Sequence, residues 1–190
     1  DYQDIYDEMD RVGKELGMPY YKIPVGGSNC LGSLGYVSCV REIRDQGIHF
    51  DHILSAEGSG GTTAGLALGA KLYLPDTKVY GMMVDTDDFA TITADLMKGA
   101  CELLQTDLAV TREDYILRDM AGPGYAIPSE EGNAAVQIMA EKEGLFLDPV
   151  YTGKAFAGLV RRAREGFYKP EDNVLFVHTG GAGGLFAIDM

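Results

Sequence analysis

The stretch AEGSGGTTAG, residues 56–65, decides the fold class and indicates the kind of ligand. It ends an apolar run over residues 52–56, which predicts a short buried strand, and leads into a predicted helix over residues 62–73. Glycines in such a turn let the backbone approach a ligand, and the N-terminus of the following helix favours an anion. The stretch therefore predicts a phosphate-binding turn. Its hydroxyl and glycine residues are Ser59, Gly60, Gly61, Thr62 and Thr63.

Two other interpretations of this turn remain open from its residues alone. It is not a Walker loop, because no Gly-Lys-Ser/Thr follows, and Thr63 stands where the third glycine of G-x-G-x-x-G belongs. Asp85, after the next predicted strand, is nevertheless placed like an acid that binds a ribose, so a dinucleotide site stays possible. Alternatively, the glycines only form a tight turn beneath a packed helix.

Strand and helix patterns alternate along the chain and predict an α/β fold with a doubly wound, mostly parallel sheet. The predicted strands are residues 52–56, 78–84, 145–147 and 173–178. The predicted helices are residues 5–16, 34–43, 62–73, 88–105, 130–143 with Ser129 as cap, and one that Thr152 caps and Gly166 ends. Ligands of such sheets gather at the carboxyl ends of strands, where the turns at 57–61, 148–152 and 178–184 lie.

Composition narrows the set of partners. The chain has 29 acidic and 16 basic residues, a formal charge of −13, which disfavours binding to nucleic acid and anionic membranes. No apolar run is long enough to span a bilayer. Three cysteines, an odd number without metal-ligand spacing, favour reduced thiols. We therefore expect a cytoplasmic protein with no metal site and no nucleic-acid or membrane partner.

Five stretches, taken together, resemble one enzyme family. They are YYKIPVGGSNCLGSLGY (20–36), GSGGTTAGL (58–66), AGPGYAIP (121–128), LDPVYTGKAFAGL (147–159) and LFVHTGG (175–181). In order and spacing they are similar to the carboxyl-terminal part of the pyridoxal-phosphate enzymes that comprise 1-aminocyclopropane-1-carboxylate (ACC) deaminase and D-cysteine desulfhydrase. The resemblance covers nearly the whole chain. It implies the type II fold of the tryptophan synthase β subunit, a homodimer, an amino-acid substrate and pyridoxal 5'-phosphate as cofactor.

The resemblance also implies roles for individual residues. Ser59, Gly60, Gly61 and Thr62 would hold the cofactor phosphate, and Thr179 would hydrogen-bond the pyridine nitrogen. Tyr125 and Tyr151 match the two tyrosines that the family places near the substrate, where a phenol can stack or move a proton. Without the resemblance, Thr179 would more simply bond to the backbone and the tyrosines would be half-buried core residues. Lys154 matches a lysine that does not bind the cofactor, and His178 is interpreted as a strand-end residue.

Two threonines bear on the reaction. ACC deaminases typically have a glutamate after the tyrosine and a leucine after the histidine, whereas this chain has Thr152 and Thr179. This pair resembles D-cysteine desulfhydrase, so we assign both threonines to the cofactor site. The implied reaction is α,β-elimination of D-cysteine to pyruvate, ammonia and hydrogen sulfide. ACC deamination and a noncatalytic dinucleotide- or phosphate-binding domain are the alternatives.

The resemblance implies a domain division as well. Residues 1–20 would end the small domain with a helix, and residues 21–190 would form the carboxyl-terminal part of the large cofactor-binding domain. The family's cofactor-linking lysine, in an Asn-Lys motif, and its Ser-Asn-Gln-type loop do not occur among residues 1–190. We therefore expect the amino-terminal part of the enzyme to be absent. This chain alone would be inactive, and would need the other half to stay soluble.

Overall fold

The central feature of the fold is one parallel β-sheet, seen in a computed structural model that describes residues 2–187. Its strands are β1 (His52–Glu57), β2 (Lys78–Met83), β3 (Ile116–Asp119) and β4 (Val174–Phe176). They are ordered β3-β2-β1-β4, and every neighbouring pair is parallel. The predicted α/β class and parallel sheet are confirmed.

Seven α-helices surround the sheet in the described residues. They are α1 (Tyr2–Glu15), α2 (Cys30–Asp45), α3 (Gly61–Tyr73), α4 (Phe89–Leu103), α5 (Glu130–Glu143), α6 (Thr152–Arg164) and α7 (Ala182–Leu185). A single 3-10 turn, Val25–Gly27, precedes α2. None of these helices combines the length and apolar character that a bilayer span requires.

The sheet is doubly wound because alternate residues of β1 face two different helical layers. Ile53 packs against α2, α3 and α4. Leu54, on the other face, packs with Tyr80 and with apolar residues of α5 and α6. All six residues of β1 are buried, so this strand lies at the centre of both cores. The turn that follows β1 is thus held between rigid layers.

Capping residues explain why the predicted bounds of α5 are confirmed. The Ser129 hydroxyl accepts the Gly132 N–H at 3.1 Å, and Gly144 ends the helix at φ +68°. Asn29 begins α2 in the same way, since its Oδ1 accepts the Gly32 N–H at 2.7 Å. Both are hydrogen bonds that satisfy first-turn amides.

Two strand assignments differ from the sequence prediction. Residues 145–147 are not a strand: Leu145 and Phe146 are half exposed, and Leu147 packs against α5 instead. The short strand β3 was not predicted, because its polar end, Arg118 and Asp119, masks the strand pattern. It pairs with β2 at one edge of the sheet.

The amino-terminal segment packs loosely on the rest. Lys22 Nζ donates to Asp10 at 2.6 Å, and the Tyr6 hydroxyl accepts the Val25 N–H at 3.2 Å. Several apolar side chains here remain exposed, among them Val12, Leu16 and Met18. The assignment of residues 1–20 to a separate small domain stays a prediction.

Candidate functional site

A cleft of about 200 Å³ lies at the carboxyl ends of β1 and β4. It brings together five of the predicted site residues, namely Ser59, Thr62, Tyr125, Tyr151 and Thr179. Val25, Gly26, Ala56 and Gly58 complete its lining. Residues more than 100 positions apart in the sequence therefore meet at one point.

The turn after β1 requires glycine at two positions. Gly60 has φ +87°, and a Cβ there would lie 2.6 Å from Ile92 Cγ2. A Cβ on Gly61 would lie 2.7 Å from Ser28 Oγ. Both glycines thus bring the backbone of the turn into close contact with neighbouring elements.

Ser28 is a site residue that the sequence analysis missed. Its hydroxyl is 2.6 Å from the Ser59 hydroxyl, and a Cβ on the cleft-lining Gly26 would lie 2.6 Å from Ser59 Oγ. The Gly-Gly-Ser at 26–28 lies inside the stretch 20–36 that carries the family resemblance, but no role was assigned to Ser28. This second glycine turn therefore packs directly against Ser59 of the phosphate turn.

The site fits a phosphate group. The amides in the first turn of α3 have no intrahelical partners, and the N-cap residue Gly60 has no side chain that could accept them. The hydroxyl-bearing residues Ser59 and Thr62 line the cleft beside this helix N-terminus. Amides, hydroxyls and the positive end of a helix are the donors that an anion needs.

The two tyrosines form a hydrogen-bonded pair. Tyr125 Oη and Tyr151 Oη lie within hydrogen-bonding distance, with ring centroids 5.9 Å apart in an edge-on arrangement. The ring of Tyr151 lies against Gly58, where a Cβ would be only 3.0 Å from Tyr151 Cε1. Tyr125 is 43% exposed. The pair therefore connects the phosphate turn with solvent through two groups that can exchange a proton.

Asp148 organises the start of α6. Its carboxylate accepts the N–H groups of Val150, Tyr151 and Thr152 at 2.7–2.8 Å, and the Thr152 hydroxyl donates to it at 2.7 Å. The prediction that Thr152 caps α6 is wrong, because Thr152 lies in the first helical turn and Asp148 accepts the amides. Asp148, in the LDPVYTG stretch, is a second residue that the sequence analysis missed.

Thr152 does not line the cleft. It is 1% exposed, and its hydroxyl also accepts the Asp148 N–H at 3.0 Å. The structure thus gives Thr152 a supporting position beneath Tyr151. Its assignment to the cofactor site stays a prediction.

Lys154 is fully buried and holds the loop that carries Tyr125. Its Nζ donates to Ala121 O at 2.6 Å and to Gly124 O at 2.7 Å. Burial lowers the pKa of Lys154, and the charge of Asp85 partly opposes this effect. Lys154 is not among the residues that line the cleft, and its expected lack of a bond to the cofactor stays a prediction.

We expect Lys154→Met to loosen residues 121–128, because methionine keeps the length of the side chain but removes both donors. The free energy of unfolding should fall by about 2 kcal/mol, and amide hydrogen exchange should rise in this loop. Lys142→Met, on the exposed end of α5, is the matched control and should change neither quantity. Unchanged exchange in the Lys154 variant would contradict the proposed role.

His178 uses both ring nitrogens on the backbone. Nδ1 accepts the Gly180 N–H at 3.1 Å, and Nε2 lies 2.9 Å from Phe146 O as donor. This pattern supports its interpretation as a strand-end residue. It fixes the segment between β4 and Thr179.

A parallel α/β sheet with an uncapped glycine turn, a tyrosine pair and a hydroxyl at adjacent strand ends defines a domain that binds a phosphorylated cofactor. The chain belongs to the pyridoxal-phosphate-dependent enzyme family, whose model matches residues 1–180. The cofactor of this family is pyridoxal phosphate.

Relatives refine this result. The D-cysteine desulfhydrase of Serratia proteamaculans (strain 568) is 41% identical over 179 residues, which are 90% of this chain and 53% of the relative. A solved structure described as an ACC deaminase homologue has a TM-score of 0.86 at 38% identity and covers 97% of this chain and 57% of that chain. A serine racemase from Dictyostelium discoideum shares the fold alone, with a TM-score of 0.52, 16% identity, and coverage of 83% and 50%. The chain thus spans about half the length of these proteins.

Proposed function

We propose that this chain is the carboxyl-terminal half of a pyridoxal-phosphate lyase that converts D-cysteine and water to pyruvate, ammonia and hydrogen sulfide. The observation that supports it most is the 41% identity to a D-cysteine desulfhydrase, in a chain whose cleft gathers Ser59, Thr62, Tyr125, Tyr151 and Thr179. We further propose that the active protein is a cytoplasmic homodimer without nucleic-acid partners.

The phosphate turn at residues 59–62 binds the cofactor phosphate through the amides of Gly61 and Thr62 and the hydroxyls of Ser59 and Thr62. The Thr179 hydroxyl hydrogen-bonds the ring nitrogen. When bound, pyridoxal phosphate supplies the electron-withdrawing ring that makes the α-proton of the substrate removable. A neutral hydroxyl at Thr179 keeps this withdrawal moderate, which suffices when a leaving group departs with the electron pair.

The tyrosine pair holds a proton beside the substrate. Each phenol can donate and accept one hydrogen bond, so a proton can pass between Tyr151 Oη and Tyr125 Oη toward solvent. Asp148 and Thr152 fix the backbone of Tyr151, and Lys154 fixes the loop of Tyr125. The pair is thus held from both sides.

Substrate preference tests the assignment. This chain is combined with an amino-terminal half that supplies the cofactor lysine, and sulfide and pyruvate are measured with D-cysteine, L-cysteine and ACC. We expect both products from D-cysteine, no sulfide from L-cysteine, and no 2-oxobutanoate from ACC. Residues 1–190 without the other half are the control and should be inactive.

The outcome distinguishes the two lyase hypotheses. Release of ammonia and 2-oxobutanoate from ACC, without sulfide from D-cysteine, would contradict the desulfhydrase assignment and favour the deaminase. The ACC deaminase homologue among the similar structures is the observation that keeps this second candidate. Turnover of D-cysteine by residues 1–190 alone would contradict the proposed need for a second half.

A further inference from the structure

Glu57 is a buried acid directly beneath the phosphate turn. It is the last residue of β1 and is 1% exposed. Its side chain lies on the same face of the strand as that of Ile53, which packs against α3. Glutamate is almost never buried this fully unless it is paired. Among residues 2–187, no cation pairs with Glu57. Lys71, in helix α3, forms an ion pair with Asp114 instead.

The hydrogen bonds of Glu57 leave one oxygen unsatisfied. Its Oε1 accepts the Gly60 N–H at 2.5 Å. Its Oε2 is buried without a hydrogen-bond partner, and so is the hydroxyl of Thr63 in the first turn of α3. An unpaired buried polar atom costs about 1–3 kcal/mol. A proton on Oε2 would remove the uncompensated buried charge, and Oε2 and the Thr63 hydroxyl could then form one donor–acceptor pair.

The surroundings of Glu57 favour this protonated form. Burial raises the pKa of Glu57, and this effect outweighs the opposing hydrogen bonds from the backbone of Gly60 and Ser59. The ionisable group that feels its charge is Tyr115, whose pKa is raised by burial first and by Glu57 in addition. The Tyr115 hydroxyl donates to Ala90 O at 2.6 Å.

We infer that Glu57 is a positioning residue of the phosphate turn that acts as a neutral carboxylic acid. Its carboxyl group fixes the backbone of Ser59 and Gly60 from beneath, and the amides of Gly61 and Thr62 remain available to the anion in the cleft. The inference rests on the proposed role of this turn in binding the cofactor phosphate. An ionised Glu57 would share the N-terminus of α3 with the phosphate and repel it. Any Glu57 that is ionised in the cofactor-free protein must therefore take up a proton when the phosphate binds.

Two substitutions separate the acid's hydrogen bonds from its charge. Glu57→Gln keeps an acceptor for Gly60 and a donor for Thr63, whereas Glu57→Met keeps the approximate volume and loses both. Affinity for pyridoxal phosphate is measured by cofactor absorbance in the protein that combines this chain with the lysine-bearing half. At pH 6 we expect Glu57→Gln to bind within about threefold of wild type and Glu57→Met to bind about tenfold more weakly. Asp88→Asn, an exposed acid that caps α4, is the matched control for charge and should bind like wild type.

The pH dependence follows from linkage. If Glu57 carries more protons in the cofactor complex than in the free protein, cofactor affinity falls as the pH rises through the range in which Glu57 ionises. Because the pKa of Glu57 is raised, this pH range lies above the one in which a glutamate ordinarily ionises. Because the phosphate itself titrates near pH 6, the quantity compared is the ratio of wild-type to Glu57→Gln affinity. This ratio should stay constant or fall between pH 6 and pH 9. A ratio that rises with pH overturns the inference, because the ionised form would then be the favoured one.

Two further measurements test the phosphate turn separately from the rest of the cofactor site. Pyridoxal, which lacks the phosphate, should bind wild type and Glu57→Met equally. In cofactor-free protein, amide exchange of residues 58–62 should be slow in wild type and Glu57→Gln and faster in Glu57→Met. Equal exchange in all three, or a Gln variant as weak as the Met variant, overturns the inference. If these patterns hold but D-cysteine is not consumed, the substrate assignment fails and the role of Glu57 stands.

Discussion

Replacing Asp148 with alanine is expected to lower the free energy of unfolding by about 4 kcal/mol. The carboxylate is 1% exposed and accepts three backbone N–H groups and the Thr152 hydroxyl. Its removal leaves these donors without partners at a largely buried site. Urea unfolding of the cofactor-free protein measures the loss.

Asp88→Ala is the matched control for Asp148→Ala. Asp88 also accepts hydrogen bonds at the start of a helix, from the Thr91 N–H at 3.1 Å and the Thr91 hydroxyl at 2.7 Å, but it is exposed. We expect a loss of about 1 kcal/mol, as for an ordinary helix cap. Equal losses in the two variants would show that burial of Asp148 does not determine its contribution.

Gly60→Ala should weaken pyridoxal phosphate binding about a hundredfold. The new methyl group would lie 2.6 Å from Ile92 Cγ2 and 3.0 Å from Leu96 Cδ1, at a backbone φ of +87°. Steric contact and strain together cost about 3 kcal/mol if the turn keeps its shape, so the turn moves and its amides lose their alignment. Cofactor absorbance in the combined protein measures the affinity.

Gly144→Ala is the control that introduces similar backbone strain outside the phosphate turn. Gly144 has a similar conformation, φ +68°, but no atom lies within 4 Å of its would-be Cβ, and it ends α5. This variant should lose some stability and bind the cofactor like wild type. Wild-type affinity in Gly60→Ala would mean that the phosphate is held elsewhere than at residues 59–62.

The sequence predicted those elements whose local signals agree with their packing. The central strand β1 was predicted to within one residue, because its apolar run is buried on both faces. Helix α5 was predicted at its observed bounds, because Ser129 and Gly144 mark its ends chemically. Residues 145–147 look like a strand only by hydrophobicity, whereas β3 lacks hydrophobicity at its exposed edge.

Within the site, the turn at 59–62 could be predicted because a glycine-rich stretch between a strand and a helix is itself a sequence signal for close approach of the backbone to a ligand. The tyrosines and Thr179 came from the family resemblance, since a tyrosine or threonine alone has no such signature. Ser28, Glu57 and Asp148 were missed for a different reason. Their roles depend on contacts made only in three dimensions, such as the bond between Ser28 and Ser59.

The parallel pairing of β1 with β4 has a consequence for the order of folding. The Asn173 N–H donates to the Asp51 carboxylate across 122 positions of sequence, and β4 pairs beside it. Such distant contacts form late, because closing a long loop costs entropy before the contact is gained. A nascent chain that has emerged from the ribosome only as far as α6 therefore has its phosphate turn but neither β4 nor Thr179. Coenzyme loading must therefore await the synthesis of β4 and Thr179.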